Sequence, residues 1–225
     1  MRAGSEIRSF APPPVDRREI LRYAGIREAT PEISALLEEC LRQAEPVLQY
    51  RVCCRRFPVI FEEDAMDLGF TRTGSRNLRK NLENCRSLWL FSATVGLGMD
   101  RLIARYSRLS PAKGVLMQAI GTERVEALCD AFQGEIAAQE KSIAPRFSPG
   151  YGDFPLDCQR DIFAALDCGS IGLTLNSNLF MTPSKSVTAV IGLSDRPQQA
   201  RIRGCAYCSM RETCTLRKGG KSCAL

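Results

Sequence analysis

Hydrophobic positions recur along this chain at two spacings, and the change from one to the other divides it. Apolar residues at helical spacing come first. Ile20, Leu21 and Tyr23 sit among charges in residues 16–24 and predict a short helix. Thr30-Pro31-Glu32 is a cap followed by a first-turn proline. The helix it opens runs to about Ala44, with Ile33, Leu36, Leu37, Cys40 and Leu41 on one face. A polar helix is expected over 75–84 and further helices over 99–108, 111–120, 122–142 and 157–166. The 122–142 helix carries Val125, Leu128, Cys129, Phe132 and Ile136 as its apolar stripe. Extended runs read differently. Residues 50–61 predict a strand interrupted at Pro58, and 87–95 a buried strand closed by Gly96 and Gly98. Three more strands are expected over 171–175, 179–181 and 186–193.

Helices thus concentrate in the first two thirds and strands in the last third. That distribution predicts an α+β fold, with helices packed around a twisted, mainly antiparallel β-sheet, rather than a regular βαβ alternation. Residues 1–15, ending in Pro12-Pro13-Pro14, read as a flexible arm. Residues 1–195 are expected to form the domain and 196–225 a basic cysteine-rich tail.

Composition narrows the classes. With 44% hydrophobic residues in 225, the chain can fill a core. No run approaches the roughly 18 apolar residues of a membrane helix, and no apolar export signal follows Met1. The expectation is a cytoplasmic protein with no membrane partner. The net charge of +6 resides in the tail, where Arg196, Arg201, Arg203, Arg211, Arg217, Lys218 and Lys221 face one acid, Glu212. The remaining residues balance, which argues against a nucleic-acid partner. Ser75-Arg76-x-x-Arg79-Lys80 reads as a solvated basic face. Gly96-Leu-Gly98 lacks the further glycine and lysine of a nucleotide loop and reads as a tight turn.

Histidine is absent, so histidine acid–base chemistry and histidine metal ligation are excluded. Eleven cysteines without an export signal argue against a disulfide scaffold. Four cluster in the tail as Cys205-x-x-Cys208, Cys214 and Cys223, a set that can hold zinc or an iron–sulfur cluster. Cys53-Cys54 reads as half-buried in a strand, because adjacent strand side chains face opposite ways.

The densest chemistry lies in Arg146-Phe-Ser-Pro-Gly150-Tyr151-Gly152-Asp153-Phe154-Pro155. One arginine, two glycines, two prolines and three rings are too irregular for a helix and too stiff for a linker. Such a loop presents a fixed cation that suits a carboxylate and rings that suit a planar group or a sulfonium. Its Arg-x-x-x-Gly-Tyr-x-x-x-Pro pattern, formed by Arg146, Gly150, Tyr151 and Pro155, resembles the S-adenosylmethionine-binding signature of the reactivation domain of cobalamin-dependent methionine synthase. The block after it, Gly172-Leu-Thr-Leu-Asn176-Ser177-Asn-Leu-Phe-Met181-Thr-Pro183 and then Ser186-Val-Thr188, follows the same family order. Two positions depart from it: Asn176 stands where the family has glutamate, and Gly152 where proline follows the tyrosine.

The resemblance implies a stand-alone protein on the activation-domain fold that binds S-adenosylmethionine. It would support reductive methylation of a cobalamin or other corrinoid carried by a methyltransferase or its cobalamin module, with an electron donor. Arg146 would pair with the ligand's carboxylate and Glu126 with its ammonium; Glu123 and Asp130 lie on nearby turns. Tyr151, Gly150, Gly152 and Pro155 would hold the adenosine part. Asn176, Ser177, Met181, Lys185 and Ser186 would face the corrinoid. Two other readings compete: a non-catalytic regulator or scaffold that keeps the fold, and a metal-bearing redox adaptor built on the tail.

Overall fold

The N-terminal segment, expected to be a loose arm, is pinned. In the computed structural model, which describes residues 4–196, Glu6–Ser9 forms strand β1 and pairs antiparallel with β2 (Arg51–Pro58), Glu6 opposite Cys54 and Ser9 opposite Arg51. Residues 13 and 14 are held from the side, their carbonyls accepting hydrogen bonds from Arg124 at 2.6 and 2.7 Å. A proline-rich segment has few backbone donors of its own, so its carbonyls need outside partners when covered. That requirement is invisible in the local pattern.

Caps set the early helices. The Asp16 carboxylate accepts from the amides of Arg18 and Glu19 and opens α1 (Arg17–Tyr23). The Thr30 hydroxyl accepts from Ile33 and opens α2 (Pro31–Ala44). Both follow the usual logic, in which a side-chain oxygen satisfies an orphan amide of the first turn. The strand expected over 50–61 is β2 followed by β3 (Ile60–Phe61), with the break at Pro58–Val59. Strands β4 (Met66–Asp67) and β5 (Arg72–Thr73) complete a small antiparallel sheet with β3. Helix α3 (Arg76–Asn81) is shorter than predicted. Strand β6 (Cys85–Thr94) is buried without interruption from Leu90 onward, the mark of a strand covered on both faces. Cys53 and Cys54 are likewise both buried in β2, not half-buried, because both of its faces are covered there.

Gly96, at φ +86°, makes the turn into α4 (Leu97–Leu109). Helix α5 then runs unbroken over Pro111–Gln139, where two helices separated at Gly121 were expected. Gly121 is not a breaker. A Cβ there would lie 2.8 Å from Lys185 Cγ and 3.0 Å from Met99 Cγ, so glycine makes room for neighbours. Strand β7 (Ser142–Ile143), helix α6 (Cys158–Ala165) and the short strands β8 (Thr174–Leu175) and β9 (Met181–Thr182) follow. A 3-10 turn at Cys168–Ile171 occupies the start of the strand predicted at 171. Strand β10 (Ser186–Ser194) matches its expected span to within a residue.

The main sheet has the order β1-β2-β6-β10-β7, and its pairs β1–β2 and β10–β7 are antiparallel. With the six α-helices among the described residues it makes an α+β fold, helices around a mostly antiparallel sheet. The described residues fall into two compact units, 4–55, 91–135 and 166–187 in the first and 56–90, 136–165 and 188–196 in the second. The first has an aromatic core in which Phe132 meets Phe91 at 4.9 Å and Phe10 at 6.3 Å between ring centroids. In the second, Gly192 admits Cys85 and Leu82, each of which would lie 2.6 Å from a Cβ at that position. No helix among the described residues is long and apolar enough to cross a membrane.

Candidate functional site

The loop from Arg146 to Pro155 lies wholly in the second unit. Phe147 anchors its start by exchanging backbone hydrogen bonds with Val190 of β10, both 2.9 Å. Three backbone hydrogen bonds, two of them in tight turns, then close the loop on itself. The Gly150 amide donates to Phe154 O at 2.8 Å, the Tyr151 amide to Ser148 O and the Phe154 amide to Tyr151 O, both 3.1 Å. Those three amides are therefore used inside the loop, where they fix its shape. Gly150 at φ +87° and Gly152 at φ +57° take the left-handed backbone that these turns require. Gly152 is also crowded: a Cβ would sit 2.4 Å from Asn77 Nδ2.

Helix α3 braces this loop at both of its ends. At the N-terminus of α3, Asp153 accepts from the Ser75 hydroxyl and from the amides of Arg76 at 2.8 Å and Asn77 at 3.1 Å. At its last residue, Asn81 Nδ2 donates to Pro145 O at 3.1 Å, one residue before Arg146. Burial alone would raise the Asp153 carboxyl, but the bonds from Ser75, Asn77 and Arg76 outweigh it and hold the group below the usual carboxylate range. The Asn81 side-chain oxygen is buried with no hydrogen-bond partner among the described residues.

The loop's side chains divide between inside and outside. Phe154 is buried in the core, so it is not a ring offered to a ligand as the composition suggested. Tyr151 remains 40% exposed and stands edge-on to Phe147, with centroids 5.2 Å apart and planes at 84°. Arg146 is half-buried and Pro155 exposed. The loop thus carries a half-buried guanidinium, a group that pairs with carboxylates, and a partly exposed tyrosine ring on a backbone held at both ends.

The other predicted residues lie in the first unit. Glu126, half-buried on α5, is close enough to Tyr23 to help burial push that phenol up. Its neighbour Glu123 is not available to a ligand. It is 3% exposed, paired with Arg124, and accepts the Asp16 amide at 2.9 Å. Asn176 closes the β8–β9 hairpin, its side-chain oxygen accepting from the amides of Asn178 and Phe180 at 2.9 and 3.0 Å. Ser177 is exposed and Met181 half-buried on β9. Lys185 donates to the Thr122 hydroxyl at 3.0 Å; burial holds its ammonium below the usual range, with Asp100 pulling the other way. Ser186, expected to face a corrinoid, is instead buried, its hydroxyl bonded to Thr94 and to Pro183 O, both at 2.8 Å.

The seven cysteines among the described residues are buried and form no disulfide. Burial pushes the thiols of Cys40, Cys53, Cys54 and Cys158 up, Cys54 to about 12, so these four are poor nucleophiles. No group of metal-binding side chains occurs among the described residues. Cys205, Cys208, Cys214 and Cys223 lie outside them.

Sequence reasoning missed Asp153 and Asn81 as the loop's anchors. Asp153 lies inside the Arg146–Pro155 motif, and Ser75 is the first residue of the predicted 75–84 helix. Their partnership joins segments 78 residues apart, and no local periodicity reports such a pairing.

No protein-family profile matches the chain, and no curated protein does. A solved structure does: the crystal structure of the MetH reactivation domain bound to AdoHcy. It aligns with a TM-score of 0.57 over 98% of this chain and 87% of that one, at 16% sequence identity. At that identity the likeness defines a shared fold.

Proposed function

We propose that this protein binds S-adenosylmethionine through the Arg146–Pro155 loop and supports reductive methylation of a corrinoid protein in trans. The observation that carries the proposal is the loop itself. A motif-bearing segment with a half-buried arginine and an exposed tyrosine is held rigid by α3 at both ends. It occurs in a chain whose fold matches a domain solved with AdoHcy, the demethylated form of that ligand. Arg146 pairs with the methionyl carboxylate, and the exposed face of Tyr151 packs on the adenosine part. The sulfonium methyl is already activated, so the protein's contribution is to hold it in place and exclude water. The corrinoid and the reducing electron come from partners.

The test is methyl transfer. The protein, S-adenosylmethionine, a chemical reductant and a cob(II)alamin-loaded corrinoid protein are mixed, and formation of methylcobalamin is followed by visible absorption. The expected result is methylation that depends on the protein and is lost in Arg146→Ala. Ligand binding without methylation identifies a regulator or scaffold on this fold instead. The proposal extends to the tail, where Cys205, Cys208, Cys214 and Cys223 hold one zinc ion or iron–sulfur cluster.

A further inference from the structure

On the second unit, a groove of about 520 Å³ runs beside α3, lined by Phe61, Arg76, Arg79, Lys80, Glu83 and Asn84. Three of its six lining residues are cations and one is an acid. The sequence gives this stretch as a solvated basic face; the structure adds a wall and a fixed charge. Phe61, on β3, is 39% exposed and supplies the apolar side. The Arg79 guanidinium lies 5.5 Å from the Phe61 ring centroid. Two carbonyl oxygens hold it there, Glu62 O at 2.8 Å and Ala65 O at 3.1 Å. It is thus a pre-organised cation against a ring, rather than a mobile surface arginine. Arg76 and Lys80 stand one helical turn apart, so they project to the same side of α3.

We infer that this groove is a second binding site, for a small anion that carries a flat ring, of the mononucleotide or aryl phosphate class. The volume lies within the range of small-molecule sites. A ring packs on Phe61 beside the Arg79 guanidinium, and the anionic group meets Arg76 and Lys80. A ring without an anionic group makes no use of the charge at Arg76, and an anion without a ring leaves Phe61 wet. The site therefore discriminates for ligands that carry both.

Isothermal titration of the full chain tests this with uridine 5′-monophosphate, a ring-bearing anion without adenine. Uridine and ribose 5-phosphate are the half-ligands. The expected result is a dissociation constant tighter than about 1 mM for the monophosphate and at least roughly tenfold weaker binding of either half. Arg76→Glu and Phe61→Ala, both at exposed positions, each weaken it at least roughly tenfold. Saturating S-adenosylmethionine leaves the constant unchanged, which separates this site from the Arg146 loop. Failure here, with S-adenosylmethionine still bound, overturns the groove alone. No heat with the monophosphate at millimolar concentration overturns it, as does equal affinity for ribose 5-phosphate, which identifies a plain basic patch.

Discussion

Arg124 and Glu123 are neighbours in sequence and both are nearly sealed from water, at 1% and 3% exposure. Their side chains pair directly, and the remaining valences are filled by the Pro13 and Pro14 carbonyls and the Asp16 amide. Burial alone would lower the Arg124 guanidinium; its bond to Glu123, that carboxylate's charge and Tyr50 outweigh it. Removing one partner leaves an uncompensated buried charge. Arg124→Met is expected to destabilise the protein by about 3–5 kcal/mol, read as a lower denaturant midpoint. The double change with Glu123→Gln should recover part of that loss. Asp153 makes a pH-dependent contribution. Its folded-state pKa lies below the unfolded one, so its bonds to α3 stabilise fully above about pH 4 and are lost as pH falls through the folded value. Asp153→Asn should cost about 1 kcal/mol at neutral pH, because the amide keeps one acceptor oxygen and loses the other together with the charge at the α3 N-terminus. In thermal melts the gap to wild type should close on acidification. A gap that stays constant to pH 2.5, roughly a unit and a half below the unfolded carboxyl, would contradict this anchoring.

At the scale of elements, two of the three glycines of α5, Gly121 and Gly134, look alike in sequence and differ in space. Gly121 is packed against Lys185 and Met99, whereas a Cβ at Gly134 would meet nothing within 4 Å. Alanine gains up to about 1 kcal/mol over glycine in a helix interior. Gly134→Ala should therefore raise the melting temperature. Gly121→Ala should lower it, because the clash with two side-chain stems outweighs the propensity gain. The same pair shows what the pattern could and could not convey. Caps and apolar stripes are local, so α1, α2 and β10 were legible nearly to the residue. The continuity of α5 was not, because whether a glycine ends a helix or admits a neighbour depends on residues 64 positions away. Strands β1, β4, β5 and β7 are two to four residues long, too short to show alternation. The arginine, glycines and tyrosine of the candidate loop were legible as a group. Their anchoring by Asp153 and Asn81 to α3 was not.

For the whole molecule, charge and thiols are distributed unequally. The described residues keep their cysteines buried, while the basic tail holds four in thirty residues. Thiolates at close quarters repel one another unless a cation joins them. Elemental analysis of anaerobically purified protein is expected to find about one zinc, or one iron–sulfur cluster with broad absorption around 400 nm. Neither metal, with all four tail thiols freely reactive, would remove the tail from the account. The α+β fold matches a solved reactivation domain across nearly the whole chain, yet a shared fold does not carry function. That weight falls on the Arg146 loop.

The most direct test is a calorimetric titration of S-adenosylmethionine into the full chain and into Arg146→Ala, with circular dichroism confirming that both are folded. The account predicts saturable one-site binding to the wild type and a loss of about 2 kcal/mol or more in the variant, roughly thirtyfold in the dissociation constant. Absence of binding to the folded wild-type protein, or equal dissociation constants for the two, would contradict it.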